Sequence, residues 1–273
     1  MDKHIILLLR SFVAISILLT TMPCSCSQED SRFSVCSQSL YSCGSLTNIS
    51  YPFWGQNRPS FCGSRGFELQ CLHNRTTSIQ VGSQNFTALG INETDLTMRM
   101  VRSDIAYDVC AYNISNTSLS GSHFSFLPTV QNLTILYNCS SEVSTVVNNS
   151  FTCGNIGANR SAIYGNETLL RQLTNLESCG VRVQVPVLKG IQLVEAEGGG
   201  VDALNKALDE GFDVEYSADS SDLCTGCRDS GGLCGSAMND TSHFSCHCRD
   251  GTHASSCSAK KSMSFLFLYF LLE

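Results

Sequence analysis

Charge is scarce in this chain of 273 residues: 15% of its side chains are Asp, Glu, Lys or Arg, and the 17 basic ones are outnumbered by 24 acidic ones. With a formal net charge of -7 and no basic stripe, nucleic acid is excluded as a partner on electrostatic grounds. Catalytic signatures are missing too. The residues hold no Gly-x-Ser-x-Gly nucleophile elbow, no phosphate-binding glycine loop and no His-Arg-Asp or Asp-Phe-Gly kinase motif. No repeat of roughly 20–50 residues points to a solenoid. Two carboxylates fixed across a cleft would suit glycoside hydrolysis, but Glu195, Glu197, Asp209, Glu210, Asp213 and Glu215 read as a solvated acidic face. No cofactor is expected, and the chain is not expected to be an enzyme.

Cysteine and glycine, by contrast, are plentiful, at 16 and 21. Residues 1–26 read as a secretory signal: Lys3, an apolar run broken only by Arg10, then small residues around Cys24-Ser25-Cys26. Cleavage after Cys26 removes two of the 16 cysteines and leaves an even 14. Those 14 are Cys36, Cys43, Cys62, Cys71, Cys110, Cys139, Cys153, Cys179, Cys224, Cys227, Cys234, Cys246, Cys248 and Cys257. In a secreted chain they are expected to form disulfides. Cys224-x-x-Cys227 and Cys246-x-Cys248, with His243, His247 and His253, would suit zinc in a reducing cell; oxidation argues against it here, and no metal is expected.

Export is signalled independently by Asn-x-Ser/Thr sequons, which begin at Asn48, Asn74, Asn85, Asn92, Asn113, Asn116, Asn132, Asn138, Asn148, Asn159, Asn166 and Asn239. A glycosylated surface leaves little bare area, so a ligand face belongs where sequons are sparse, at 50–73 and 168–238. The acids gather in the middle: residues 111–223 carry 5 basic against 12 acidic side chains, whereas residues 36–110 carry 5 of each. A polyanion is therefore met, if anywhere, by the first part of the chain.

Periodicity suggests a mainly β fold, two disulfide-rich β modules in tandem with one or two short helices. A polar lead-in fills 27–35, and the first module occupies 27–110, with strands near 67–71, 77–81 and 96–102; alternation of Leu96, Met98 and Met100 puts Arg99 on the solvent face. Residues 111–122 read as a glycosylated linker, and a second module fills 123–257, with strands near 133–137, 181–187 and 212–216 and a helix near 201–210. Pro186 predicts an edge strand or a strand end. Val201, Leu204 and Leu208 share one face of the helix. The tail, 258–273, has an apolar run of about ten residues, half of what a span requires. It reads as a truncated span, a glycolipid-anchor signal or a soluble end, which leaves membrane attachment open.

Sugar rings present flat C–H faces that stack on aromatic rings, which makes Tyr51, Phe53 and Trp54 candidates for contact; the competing reading puts Phe53 and Trp54 in the core. A uronate-bearing sugar would in addition favour arginine, whose fork matches a carboxylate in two hydrogen bonds, which makes Arg58, Arg65 and Arg99 further candidates for contact.

Two blocks carry a family resemblance. Cys43-Gly44, Ile49-Ser50-Tyr51-Pro52-Phe53-Trp54-Gly55, Cys62-Gly63 and Gly66-Phe67-Glu68-Leu69-Gln70-Cys71 resemble the galacturonan-binding domain of plant wall-associated receptor kinases. Cys224-Thr-Gly-Cys227 through Cys234-Gly235, with Phe244-Ser-Cys246-His-Cys248-Arg-Asp-Gly251, resembles their C-terminal cysteine-rich domain, in the order found in leaf-rust-resistance-locus receptor-like kinases. The resemblance implies an extracellular polysaccharide-binding (pectin or galacturonan) ectodomain for wall sensing or defence signalling, in the apoplast or on the outer face of the plasma membrane, here without kinase or complete span. The alternative is a protein- or peptide-binding ectodomain, or a soluble decoy, without sugar affinity. The segment 224–257 also resembles an EGF-like module. That resemblance implies the pairs Cys224–Cys234, Cys227–Cys246 and Cys248–Cys257, where the sequence alone permits fifteen connectivities.

Overall fold

The computed structural model describes residues 29–110, 114–140, 149–154, 161–173, 176–191 and 200–258, besides residue 12. The expected signal at 1–26, the tail beyond 258 and the sequons at Asn113, Asn148 and Asn159 lie outside the described residues.

The chain enters through helix α1 (Ser31–Gln38), where the sequence suggested only a polar lead-in. Its start is fixed by Asp30, whose carboxylate accepts from the Arg32 and Phe33 amides at 2.8 and 3.4 Å, the usual N-cap arrangement. A two-stranded ribbon follows, β1 (Tyr41–Cys43) and β2 (Leu46–Ile49). Then come β3 (Leu69–Leu72), β4 (Thr76–Val81), β5 (Gln84–Asn92) and β6 (Thr97–Arg102), an antiparallel meander, and the short helix α2 (Ser103–Tyr107). Met98 and Met100 point into the core and Arg99 to solvent, as the alternation predicts, but Leu96 precedes the strand and is exposed.

The expected division near residue 123 does not hold for the first sheet. Strands β7 (Phe124–Phe126) and β12 (Phe212–Tyr216), both from the expected second module, complete it in the order β3-β4-β5-β6-β12-β7. Between them the chain builds a second sheet, β11-β8-β10-β9, from β8 (Val130–Cys139), β9 (Ser150–Thr152), β10 (Ser161–Gly165) and β11 (Val181–Leu188). The expected second module thus contributes strands to two sheets. β11 lies at the edge, as Pro186 requires, and its outer rim is partly covered by the stretch read as a linker: Thr117 N–H donates to Gln184 O at 3.0 Å, and Gln184 N–H donates to the Asn116 side chain at 2.8 Å.

Helix α3 (Glu167–Leu170) lies against the outer face of the second sheet, and helix α4 (Val201–Asp209) closes its inner face. Val183, Val185 and Val187 pack there with Leu133, Ile135 and the helical Leu204, Ala207 and Leu208. Val201, expected on that helical face, is exposed at its first turn. The described residues end in a cysteine-rich cap: helix α5 (Ser221–Asp229) and the sheet β13 (Leu233–Ala237), β14 (Asp240–Cys248) and β15 (Gly251–His253). Its cystines join the core of the first sheet.

Seven disulfides link all 14 expected cysteines. Cys36–Cys62 and Cys43–Cys71 fasten the N-terminal region; Cys110–Cys153 and Cys139–Cys179 fasten the second sheet. Cys224–Cys234, Cys227–Cys246 and Cys248–Cys257 fasten the cap, in the pairing that the EGF-like resemblance implies.

Candidate functional site

The two sequon-poor stretches, far apart in sequence, meet in space. Arg65 N–H donates to Thr241 O at 3.0 Å, Tyr51 Oη lies 3.0 Å from Ser220 Oγ, and the Ser236 hydroxyl donates to Ser60 O at 3.2 Å. Loop 50–66, the start of α5 and the cap therefore form one surface. Two of the described sequons border this surface, Asn48-Ile-Ser50 at the start of the loop and Asn239-Asp-Thr241, whose threonine carbonyl accepts from Arg65. Asn48, Asn74, Asn85, Asn92, Asn116, Asn132 and Asn239 are exposed, and Asn138 and Asn166 half-buried.

Within this surface the candidates separate by burial. Phe53 is fully buried, edge-on to Phe67 and Tyr216 at ring separations of 5.4 and 4.9 Å. Tyr51 is buried as well, and burial raises its hydroxyl above the ordinary tyrosine value. Both belong to the core of the first sheet. Trp54 is half-buried: its ring N–H donates to Ser64 O at 2.9 Å, and the ring rests on Gly63, where a Cβ would come within 2.4 Å of Trp54 Cδ1.

Arg58 departs most from the expectation of a ligand contact. It is 3% exposed, and its guanidinium donates to Phe53 O, Cys62 O, Cys36 O and Ser39 O. Burial lowers its pKa to about 10, so it remains a cation, but its donors are spent on the backbone. Arg99 is exposed, yet forms a two-pronged ion pair with Asp213 at 2.8 and 3.0 Å, on the sheet face opposite Phe53. A ligand there would have to displace Asp213. Arg65 alone among the three arginines is exposed with no ion pair among the described residues. The structure thus buries Tyr51, Phe53 and Arg58, ties Trp54 to the residue before Arg65, and engages Arg99 with Asp213.

Sequence reasoning missed what completes this surface. Gly66, at φ +84°, brings the loop against His123, since a Cβ there would meet His123 Cδ2 at 2.6 Å. His123 stacks on Phe67 at 5.1 Å, and its Nδ1 lies 3.4 Å from Asp219 Oδ1. Arg228, exposed on α5, acts on the Tyr51 hydroxyl electrostatically and opposes Asp219. No local signal in the sequence links residues so far apart.

The loop is pinned to the cap by His247. Buried completely, it contacts Phe61 O through Nε2 at 2.9 Å and Thr252 Oγ1 through Nδ1 at 3.2 Å. A carbonyl only accepts, so Nε2 carries the hydrogen and Nδ1 accepts from the threonine hydroxyl. Burial holds the imidazole below its usual pKa; Arg32 and Arg58 push the same way, whereas Asp30 and the Phe61 carbonyl oppose. A folded pKa below the unfolded one contributes stability that is present above about pH 6.5 and is lost as pH falls toward the folded value. Melting temperature is expected to fall more between pH 7 and pH 5 in the parent than in a His247→Gln variant, measured by calorimetry. Equal slopes would show that His247 does not carry the effect.

Two family models match the chain. Residues 36–102 match the galacturonan-binding domain of wall-associated receptor kinases, and residues 138–251 match the wall-associated receptor kinase C-terminal domain. Among curated relatives, the leaf rust 10 disease-resistance locus receptor-like protein kinase-like 2.8 of Arabidopsis thaliana is 30% identical over 240 residues, covering 86% of this chain and 25% of the relative. The like 2.1 protein of the same plant is 27% identical over 251 residues, covering 88% and 38%. The chain therefore spans well under half the length of these relatives. No solved structure matches it significantly.

Proposed function

The chain is an ectodomain of the wall-associated receptor kinase type, and on that premise we propose that it binds an acidic wall polysaccharide of the galacturonan class through the surface around Arg65 and Trp54. The family implies an extracellular location. Among the described residues, no helix is long and apolar enough to cross a membrane. The observation that carries the reading is Arg65 itself: an exposed guanidinium without an ion pair among the described residues, one residue from the Ser64 carbonyl that holds the half-buried Trp54, and within the region matched to galacturonan binding. A fork of donors suits a uronate carboxylate, and the indole suits the sugar's C–H face. Such an ectodomain serves wall sensing or defence, either reporting to a kinase like that of its relatives or competing with such receptors for ligand.

Titration of the purified glycoprotein with oligogalacturonides tests this. Arg65→Ala is expected to weaken binding about tenfold, the loss of one charge-assisted contact, and binding is expected to fade with added salt. Wild-type protein with intact disulfides that ignores millimolar oligogalacturonide would overturn the reading. The acidic middle, with 12 acids to 5 bases in 111–223, favours a basic peptide as the ligand in that event.

A further inference from the structure

On the far side of the second sheet from α4 lies a polar cleft of about 420 Å³ that the proposed ligand face does not use. The Asn and Thr of two sequons line it, Asn132 with Thr134 and Asn166 with Thr168, together with Arg182 and Gln184. The sheet register explains the convergence. Thr134 on the central strand β8 sits opposite Gln184 of β11 and Gly165 of β10, and Asn166 follows directly as the cap of α3. The cleft floor is thus a row of amide and hydroxyl groups, and Asn166 stands at its wall.

Asn166 is held in a defined orientation. Its Oδ1 accepts the Leu169 amide at 2.9 Å, which leaves Nδ2, the atom an N-glycan uses, uncommitted. Asn92 is a contrast, because its Nδ2 donates to Asp95 at 2.8 Å. The cleft holds one acid and one base, Glu167 and Arg182; Glu167 is paired with Arg171 at 2.6 Å and also feels Arg182, so no strong field of either sign fills the cleft. An adjoining cleft of about 530 Å³ shares Arg182 and has Leu136, Leu170 and Leu173 in its lining. Amides and hydroxyls beside an apolar patch suit a neutral sugar bearing hydroxyls and an acetamide methyl.

We propose that Asn166 is glycosylated and that the first N-acetylglucosamine of its glycan lies in this cleft, packing the outer face of the second sheet as part of the fold. Attachment joins Nδ2 to the anomeric carbon of a polyprenyl-pyrophosphate-linked oligosaccharide. The new N–C bond forms as the C–O bond to pyrophosphate breaks with its electron pair, and one amide proton is released.

The test compares Thr168→Val, which destroys the sequon but keeps the Asn166 cap, with Thr168→Ser, which keeps both. The full chain would be secreted from a host that adds high-mannose glycans. Mass spectrometry of Thr168→Ser is expected to find Asn166 occupied. Thr168→Val is expected to melt about 3 °C lower and to exchange its β8 and β11 amides about tenfold faster. Trimming the parent's glycans to a single N-acetylglucosamine is expected to leave both readings unchanged. An unoccupied Asn166, identical melting and exchange in the two variants, or loss of stability on trimming to one sugar would each overturn the proposal.

Discussion

Replacing Arg58 by alanine is expected to abolish secretion of folded protein. The guanidinium is buried and bonds to the carbonyls of Cys36, Ser39, Phe53 and Cys62, so it gathers α1, the following turn and the aromatic loop around one planar group. Each carbonyl left buried and unsatisfied costs about 1–3 kcal/mol, and truncation also opens a cavity. Partial entry of water reduces the sum, and a net loss of about 3–5 kcal/mol is expected, a large share of the stability of an ordinary domain. Arg58→Lys keeps the charge but has three donors on a point-like head, so it cannot span four carbonyls. It should lie between the two. Secreted yield and urea midpoints measure the series; an Arg58→Ala protein within about 1 kcal/mol of the parent would show that water replaces the guanidinium readily.

The second large effect lies in the cap. Cys227 and Cys246 are fully buried, and Cys246 Sγ also sits 3.6 Å from Cys248 Sγ and 3.9 Å from Cys257 Sγ. Gly232 passes over this cluster so closely that a Cβ would meet the sulfurs of Cys246, Cys227 and Cys257 at 2.4, 2.7 and 2.7 Å. Removing the Cys227–Cys246 link by a double alanine substitution is expected to cost about 2–5 kcal/mol and lower melting by about 10 °C. Gly232→Ala is expected to do comparable damage with every cysteine present, because cross-linked sulfurs have nowhere to move. Peptide mapping without reduction would show whether the pairing survives in Gly232→Ala. Unchanged melting in that variant would mean the cap backbone yields, contrary to the packing described.

Legibility from sequence followed the range of the interactions. Valine alternation at 183, 185 and 187 announced β11, and Met98 and Met100 against Arg99 announced β6, because side-chain direction in a strand has period two whatever lies opposite. The helix at 201–209 was visible in the spacing of Leu204 and Leu208. Arg58, however, looked like a solvent-facing loop arginine, since nothing near it in sequence marks the four carbonyls that bury it. The same holds for Trp54 and Arg65, whose open surface depends on Gly63, His123 and the cap.

Composition, spacing and local alternation were enough to reveal the cysteines that pair, the β character and the family blocks. Only the tertiary structure decided which arginine is available to a ligand, how β7 and β12 return to complete the first sheet, and where two sequons converge on one cleft. Those depend on contacts between residues tens to hundreds of positions apart, and burial, which sets both the availability of a charge and its worth, exists only once the chain has closed on itself.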